Sequence, residues 1–263
     1  MLTSLSSLEL ALLIPAILFG ATGVGIWIGR ALTRRDSGLK EPLGIMQAAL
    51  VGLVALLLAF GLTMAVGRYE TRRAAVVLEA NAIGTTYLRA QTLSEPMRTE
   101  SLALLKRYGD ARVALSESIP DSAKFDAASK ESVDIQNNLW ALAADALNEA
   151  PTASAPRLYV ETLNEMIDAH TTRIAALDNR IPPPVLWLQV LASALALGVL
   201  GMFVATHQRG VFMALLAAGL VSVMLLVIVD LDRPRRGMIT IPDGPIVAVR
   251  ESMNLPPAAG GPP

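Results

Sequence analysis

The 263-residue chain contains no cysteine, only two histidines and only 17% charged residues. Without cysteine there is no disulfide framework and no thiolate metal site. Two isolated histidines, His170 and His207, leave little nitrogen ligation, and no His/Glu metal spacing is present. Charge of neither sign is in excess: 22 Lys and Arg face 23 Asp and Glu, for a net charge of -1. A general nucleic-acid binder carries a basic surplus, so nucleic acid is excluded as a partner. Aromatics make up only 5%, so the excess within the 53% hydrophobic content is Leu, Ala, Val and Ile. An average soluble domain has about 25% charge and about 45–50% apolar residues. This chain falls outside that class.

The apolar residues are gathered into runs. Residues 8–29 carry one charge, Glu9, at the edge, while residues 43–66, 185–205 and 211–229 carry none. Each run is near the roughly 20 residues needed to cross a bilayer core of about 30 Å. Arg30, Arg68 and Asp230 flank them, and Trp27 and Trp187 lie near span ends, where aromatic belts form. The leader before the first run has no Lys or Arg, which a cleaved signal peptide needs, so the run reads as a retained helix.

The spans form two pairs, residues 1–66 and 185–231, around a charged segment, residues 67–184. That segment carries 13 basic and 16 acidic residues. It lacks strand alternation and is rich in Ala, Leu, Glu and Arg, so it reads as helix throughout. Ser94-Glu95-Pro96 reads as a cap with proline in the first turn. Ile119-Pro120-Asp121, the stretch from Pro151 to Pro156, and Ile181-Pro182-Pro183-Pro184 mark further breaks. Four apolar stripes follow. They are Val76, Ala80, Ile83, Tyr87 and Ala90; Met97, Leu104, Tyr108, Ala111 and Leu115; Phe125, Ala128, Ser132, Ile135, Leu139, Leu142 and Ala146; and Val160, Leu163, Ile167, His170, Ile174, Leu177 and Ile181. The last two step by three and four, as a coiled-coil seam does.

The expected fold is therefore all-α. It is an integral membrane protein with four transmembrane helices in two pairs and a four-helix soluble insert between spans two and three. No breaker separates span two from the first insert helix, so one rod of roughly 75 Å is expected there. A tail, residues 232–263, follows, with a short extended or helical piece at 239–249 and a disordered Pro/Ala/Gly end. Both termini and the insert share one face of the membrane. Arg68, Arg72, Arg73 and Arg180 tip that face to the cytosol.

Three stretches carry a resemblance. They are Gly67-Arg68-Tyr69-Glu70-Thr71-Arg72-Arg73; Glu79-Ala80-Asn81-Ala82-Ile83-Gly84-Thr85-Thr86-Tyr87-Leu88-Arg89; and Asp230-Leu231-Asp232-Arg233-Pro234-Arg235-Arg236-Gly237. Together they resemble the bestrophin-like domain family of bacterial membrane proteins, distant kin of the bestrophin ion channels. The resemblance covers the chain from span two to the tail. It implies a homo-oligomer in the bacterial inner membrane, with two helix pairs around a cytosolic helical region. Span two lacks the aromatic-and-proline neck of bestrophin pores, so the resemblance assigns no pore residue.

Three candidate sites emerge from the motifs. Asn81, Thr85 and Arg89 share one helix face, with Glu79 and Thr86 on another and Gly84 mid-helix; Glu79, Asn81, Gly84, Thr85 and Arg89 form a candidate vestibule or subunit interface. Arg68, Arg72, Arg73, Asp230, Asp232 and Arg233 form a candidate ion-pair network at the membrane edge. Gly25 and Gly29 form a GxxxG for close helix packing. His170 reads as a packed core histidine. No nucleophile elbow, phosphate loop or cofactor motif is present, so catalytic, metal and cofactor residues are all expected to be absent. The functional expectation is an ion channel. The alternative is a membrane-anchored helical interaction or sensory module without transport activity.

Overall fold

A computed structural model describes residues 7–33, 40–118, 122–205, 208–234 and 237–255. Among these residues every element is an α-helix. The elements are α1 (Ser7–Thr33), α2 (Lys40–Ala90), α3 (Met97–Glu117), α4 (Ser122–Glu149), α5 (Ser154–Asp178), α6 (Pro183–Val204), α7 (Gln208–Leu231) and α8 (Gly244–Ser252). Stretches long and apolar enough to cross a bilayer lie within Leu8–Leu32, Gly44–Ala90, Ser154–Val204 and Arg209–Leu231. Within the second and third of these, residues 44–66 and 185–204 carry no charge. The chain is thus an all-helical, multi-pass membrane protein.

The chain divides into two compact units. One comprises Met1–Tyr69 and Arg180–Ile239, the other Glu70–Asn179 and Thr240–Pro263. In the first unit α1 packs chiefly on α6 and α7. Its core joins Leu10, Ile14 and Leu18 of α1, Val54 and Leu58 of α2, Val190 and Leu197 of α6, and Leu225 and Ile228 of α7. Close approach of α1 and α6 depends on glycine. A Cβ built on Gly25 would strike the Gly198 carbonyl, and one on Gly29 would lie 2.5 Å from the Met202 carbonyl oxygen. Gln189 of α6 is buried and donates from Nε2 to the Leu57 carbonyl of α2 at 3.0 Å.

The helix α2 is one element of 51 residues. At 1.5 Å per residue it is about 75 Å long. Its charged half belongs to the second unit, where Val76, Ala80, Ile83 and Ala90 face α3, α4, α5 and α8. The expected stripes need rotating in three helices. Leu105 rather than Leu104, and Ala143 rather than Leu142, are the fully buried residues of α3 and α4. In α5 the buried line is Tyr159, Leu163, Met166, His170, Arg173 and Leu177, while Val160, Ile167 and Ile174 are half-buried. Arg173 is buried in this line, and its inclusion turns the seam by one position from the apolar stripe through Val160, Ile167 and Ile174.

One terminus differs in detail from expectation. The start of α3 is capped by the Glu95 carboxylate, which accepts the Thr99 N–H at 3.2 Å, and not by Ser94. The break at Ile119-Pro120-Asp121 lies outside the described residues, as do His207, Arg235, Arg236 and the end of the tail. The piece at 239–249 becomes the helix α8, whose Ile246 enters the core of the second unit together with Met253. Tyr87 donates its hydroxyl to the Met253 carbonyl at 3.0 Å, and Arg250 pairs with Asp110.

Candidate functional site

Glu79 is fully buried at the centre of the second unit. An ionised carboxylate in such a place must be paired and hydrogen-bonded. The pairing comes from two arginines on different helices. Arg112 of α3 places Nε 2.7 Å from Oε1 and Nη2 3.1 Å from Oε2. Arg173 of α5 donates from Nη1 to Oε2 at 2.7 Å and from Nη2 to the Ser116 hydroxyl at 2.8 Å. Both guanidiniums are themselves buried, Arg112 completely.

A neutral group completes the cluster. The Tyr108 hydroxyl lies 3.4 Å from Glu79 Oε1, 3.3 Å from His170 Nδ1 and 3.0 Å from Gln136 Nε2, which donates to it. A hydroxyl has one proton to give and two lone pairs to accept with. With the proton given to Glu79, the contact to His170 is a hydrogen bond where the ring carries its proton on Nδ1. Burial, reinforced by the Glu79 charge, pushes the Tyr108 hydroxyl well above the usual phenol range, so it remains a donor. The cluster ties α2, α3, α4 and α5 together and carries two guanidiniums against one carboxylate.

Burial by itself would raise the Glu79 carboxyl. The His170 contact and the Arg112 and Arg173 guanidiniums outweigh burial and bring it down from 4.5 to about 2. The sign for stability follows. As pH falls, the unfolded chain takes up this proton first, so the contribution is complete above about 4.5. It declines below that value and is gone once pH passes about 2. At neutral pH the shift corresponds to about 3 kcal/mol. Thermal unfolding in detergent is therefore expected to show a level melting temperature above pH 5 and a steep fall between 4.5 and 2. A melting temperature unchanged down to pH 2.5 would contradict the pairing.

The structure distributes the other motif residues as follows. Thr86 is buried two turns further along α2 and donates to the Thr162 carbonyl at 2.9 Å. Gly84 faces α8, where a Cβ would meet Val249 Cγ2 at 3.1 Å. Asn81 and Thr85 are exposed and Arg89 half-buried. The five candidate vestibule residues thus occupy more than one face of α2. Of the membrane-edge candidates, Arg72 is buried and donates from Nε to Ala176 O at 3.1 Å and from Nη2 to Asn179 O at 2.7 Å. It thereby serves carbonyls at the C-terminal end of α5, which lack helical partners. Arg73 pairs with Glu70 at 3.8 Å on the surface. Asp232 accepts the Ile181 N–H at 2.7 Å, and Asp230 accepts those of Met238 and Ile239 at 2.7 and 2.8 Å. Sequence reading did not single out Arg112, Arg173, Tyr108 or Gln136 as a site. The available signal was spacing: Arg112 follows Tyr108 by one turn and Arg173 follows His170 by three residues, so each charge shares a face with a core residue.

The second unit also leaves apolar side chains uncovered. The exposed stripe of α2 runs Leu78, Asn81, Thr85 and Leu88, and that of α4 runs Val133, Asn137, Trp140 and Ala144. Leu88 is 63% exposed and Trp140 45%.

A family model described as Bestrophin-like domain matches residues 16–246. No curated protein matches the chain. Among solved structures, single-site mutants of a bacterial bestrophin homologue from Klebsiella pneumoniae share the fold. One superimposes with a TM-score of 0.66 at 13% identity, covering 90% of this chain and 97% of its own. Another gives 0.66 at 13% identity over 94% of this chain and 97% of its own.

Proposed function

We propose, on the premise that the chain belongs to the Bestrophin-like domain family, that it is a homo-oligomeric ion channel of the bacterial inner membrane. In this reading both termini and the charged helical unit lie on the cytosolic side. The observation that carries the reading is the uncovered face of the second unit. Leu78 and Leu88 on α2, and Val133 and Trp140 on α4, stand exposed on helices otherwise rich in charged residues. Large apolar side chains left in stripes mark surfaces that associate, and tryptophan is enriched among interface anchors. The polar members of the same α2 stripe, Asn81 and Thr85, supply hydrogen-bonding groups next to such a contact.

The buried Glu79 cluster has a mechanical role here. It fixes the rotation of α2 against α3, α4 and α5, and hence which residues that helix presents outward. Since the spans carry no internal charge, the conduction path is lined by small and apolar residues with polar rings at its ends.

Mass measurement of the purified protein in mild detergent, followed by ion flux from proteoliposomes, tests the proposal. Several chains per particle and flux above empty vesicles are expected. Leu88→Glu combined with Trp140→Glu alters only exposed positions. It is expected to release monomers with unchanged helicity and to reduce flux to the empty-vesicle level. A wild-type monomer without flux would overturn the channel and favour a membrane-anchored helical module.

A further inference from the structure

The first unit holds a cavity that neither the Glu79 cluster nor the channel reading uses. Its volume is about 320 Å³, and it lies between α2, α6 and α7. The walls are Val54 and Leu58 of α2, Leu197 and Leu200 of α6, and Val221 and Met224 of α7. Val51 and Leu220 stand at its rim, the latter 72% exposed. All three helices are spans, so the rim meets bilayer hydrocarbon. An apolar cavity of about 150 Å³ admits benzene, so this one has room for a body about twice that size.

One polar group of the lining lacks a partner. Ser193 of α6 lines the cavity, and its buried hydroxyl makes no hydrogen bond among the described residues. A helical serine or threonine commonly returns its proton to the carbonyl four residues back. Thr22 and Ser222, also buried in spans, do so to Leu18 and Ala218 at 2.8 and 2.7 Å. Ser193 makes no such bond. Gln189, one turn earlier on the same face of α6, has the complementary lack. Its Nε2 is committed to the Leu57 carbonyl, and a Cβ on Gly61 would strike the amide, so the side chain is held in place. Its Oε1 is buried and accepts from no donor among the described residues. In hydrocarbon no water is at hand to satisfy either atom.

We infer that this cavity binds a neutral molecule dissolved in the bilayer, with an apolar body and a single hydroxyl: a long-chain alcohol or an alkylphenol. One hydroxyl can accept from Ser193 and donate to Gln189 Oε1, whereas a ketone or an ester can only accept. Depth excludes the phospholipids themselves. Ser193 lies near the middle of the uncharged run 185–205. A charged headgroup stays at the interface, and acyl chains bring only methylene groups to that depth. Neither would satisfy the two atoms.

Photolabelling of the full chain in proteoliposomes tests the inference, with 1-octanol and octane carrying the same diazirine as probes. The alcohol is expected to label the cavity walls, and unlabelled 1-octanol to compete with it. The alkane is expected to label lipid-facing residues without saturation. Ser193→Ala is expected to weaken competition by 1-octanol about fivefold, the weight of one hydrogen bond between neutral groups. Ala55→Trp, at an exposed position of α2, and Ala217→Trp, at a half-buried position of α7, fill the cavity from two different walls. Each is expected to abolish labelling of the walls by the alcohol, with helicity by circular dichroism and oligomer mass unchanged. Equal, unsaturable labelling of the walls by the two probes would overturn the inference, since the cavity would then hold acyl chains. Unchanged competition in Ser193→Ala would overturn it too, as would undiminished labelling in both tryptophan variants. A changed oligomer mass in place of lost labelling would equally overturn it, because a second copy of the chain would then cover the cavity.

Discussion

Glu79→Gln is expected to lower stability by roughly 3–5 kcal/mol, the usual consequence of removing one partner from a buried ion cluster. The substitution keeps the shape of the side chain and removes only its charge. It leaves the Arg112 and Arg173 guanidiniums buried without a carboxylate. Typical domains have about 5–15 kcal/mol in total, so the variant is expected to melt far below the wild type at pH 7. A companion variant separates charge from packing. Glu79→Met with Arg112→Leu and Arg173→Met replaces the whole cluster with apolar side chains, and such replacements are often neutral or stabilising. Recovery in the triple variant with loss in Glu79→Gln is the expected pattern, read by thermal unfolding in detergent. Melting of Glu79→Gln within about 1 kcal/mol of the wild type would show that the arginines need no carboxylate.

A second large effect is expected where α1 meets α6. Gly25→Ala adds a single methyl group, and that group lands on the Gly198 carbonyl. Overpacking costs about 1–3 kcal/mol when side chains can adjust. Here the obstacle is backbone, so the helices themselves must separate, and the upper end of that range or more is expected. Gly20→Ala is the matched control. It lies in the same helix, and nothing stands within 4 Å of its added Cβ. Its stability is expected to match or slightly exceed that of the wild type, since alanine is the better helix former. Equal melting of the two variants in detergent would show that the close approach of α1 and α6 carries no weight.

These two sites differ in how far they could be read from the chain. Gly25 and Gly29 announced themselves as small residues one turn apart within an apolar run. Their partners across the contact, Gly198 and Met202, belong to a different span, and no spacing rule links them. For Glu79 the chain offered less. Its ligands come from α3 and α5, with Arg173 standing 94 positions away. Arg173 also breaks the apolar rule that pattern reading relies on. A charge on a helix counts as surface until its partner is known, so the seam of α5 was placed through Val160, Ile167 and Ile174. The observed seam runs through Tyr159, Met166 and Arg173. The same limitation left α8 open between an extended and a helical piece, because its nine residues are too few for periodicity to decide and its burial depends on a core made by α2 to α5.

The amino-acid sequence by itself determined the all-helical, four-span character of this protein. That property is local: every backbone group in a bilayer must be satisfied within its own segment, so an uncharged run of sufficient length has one solution. Tertiary structure alone decided which charges are interior. The protonation state and placement of Glu79 depend on Arg112, Arg173, Tyr108 and His170 arriving together from separate helices, because a buried carboxylate is tolerable only where its partners converge.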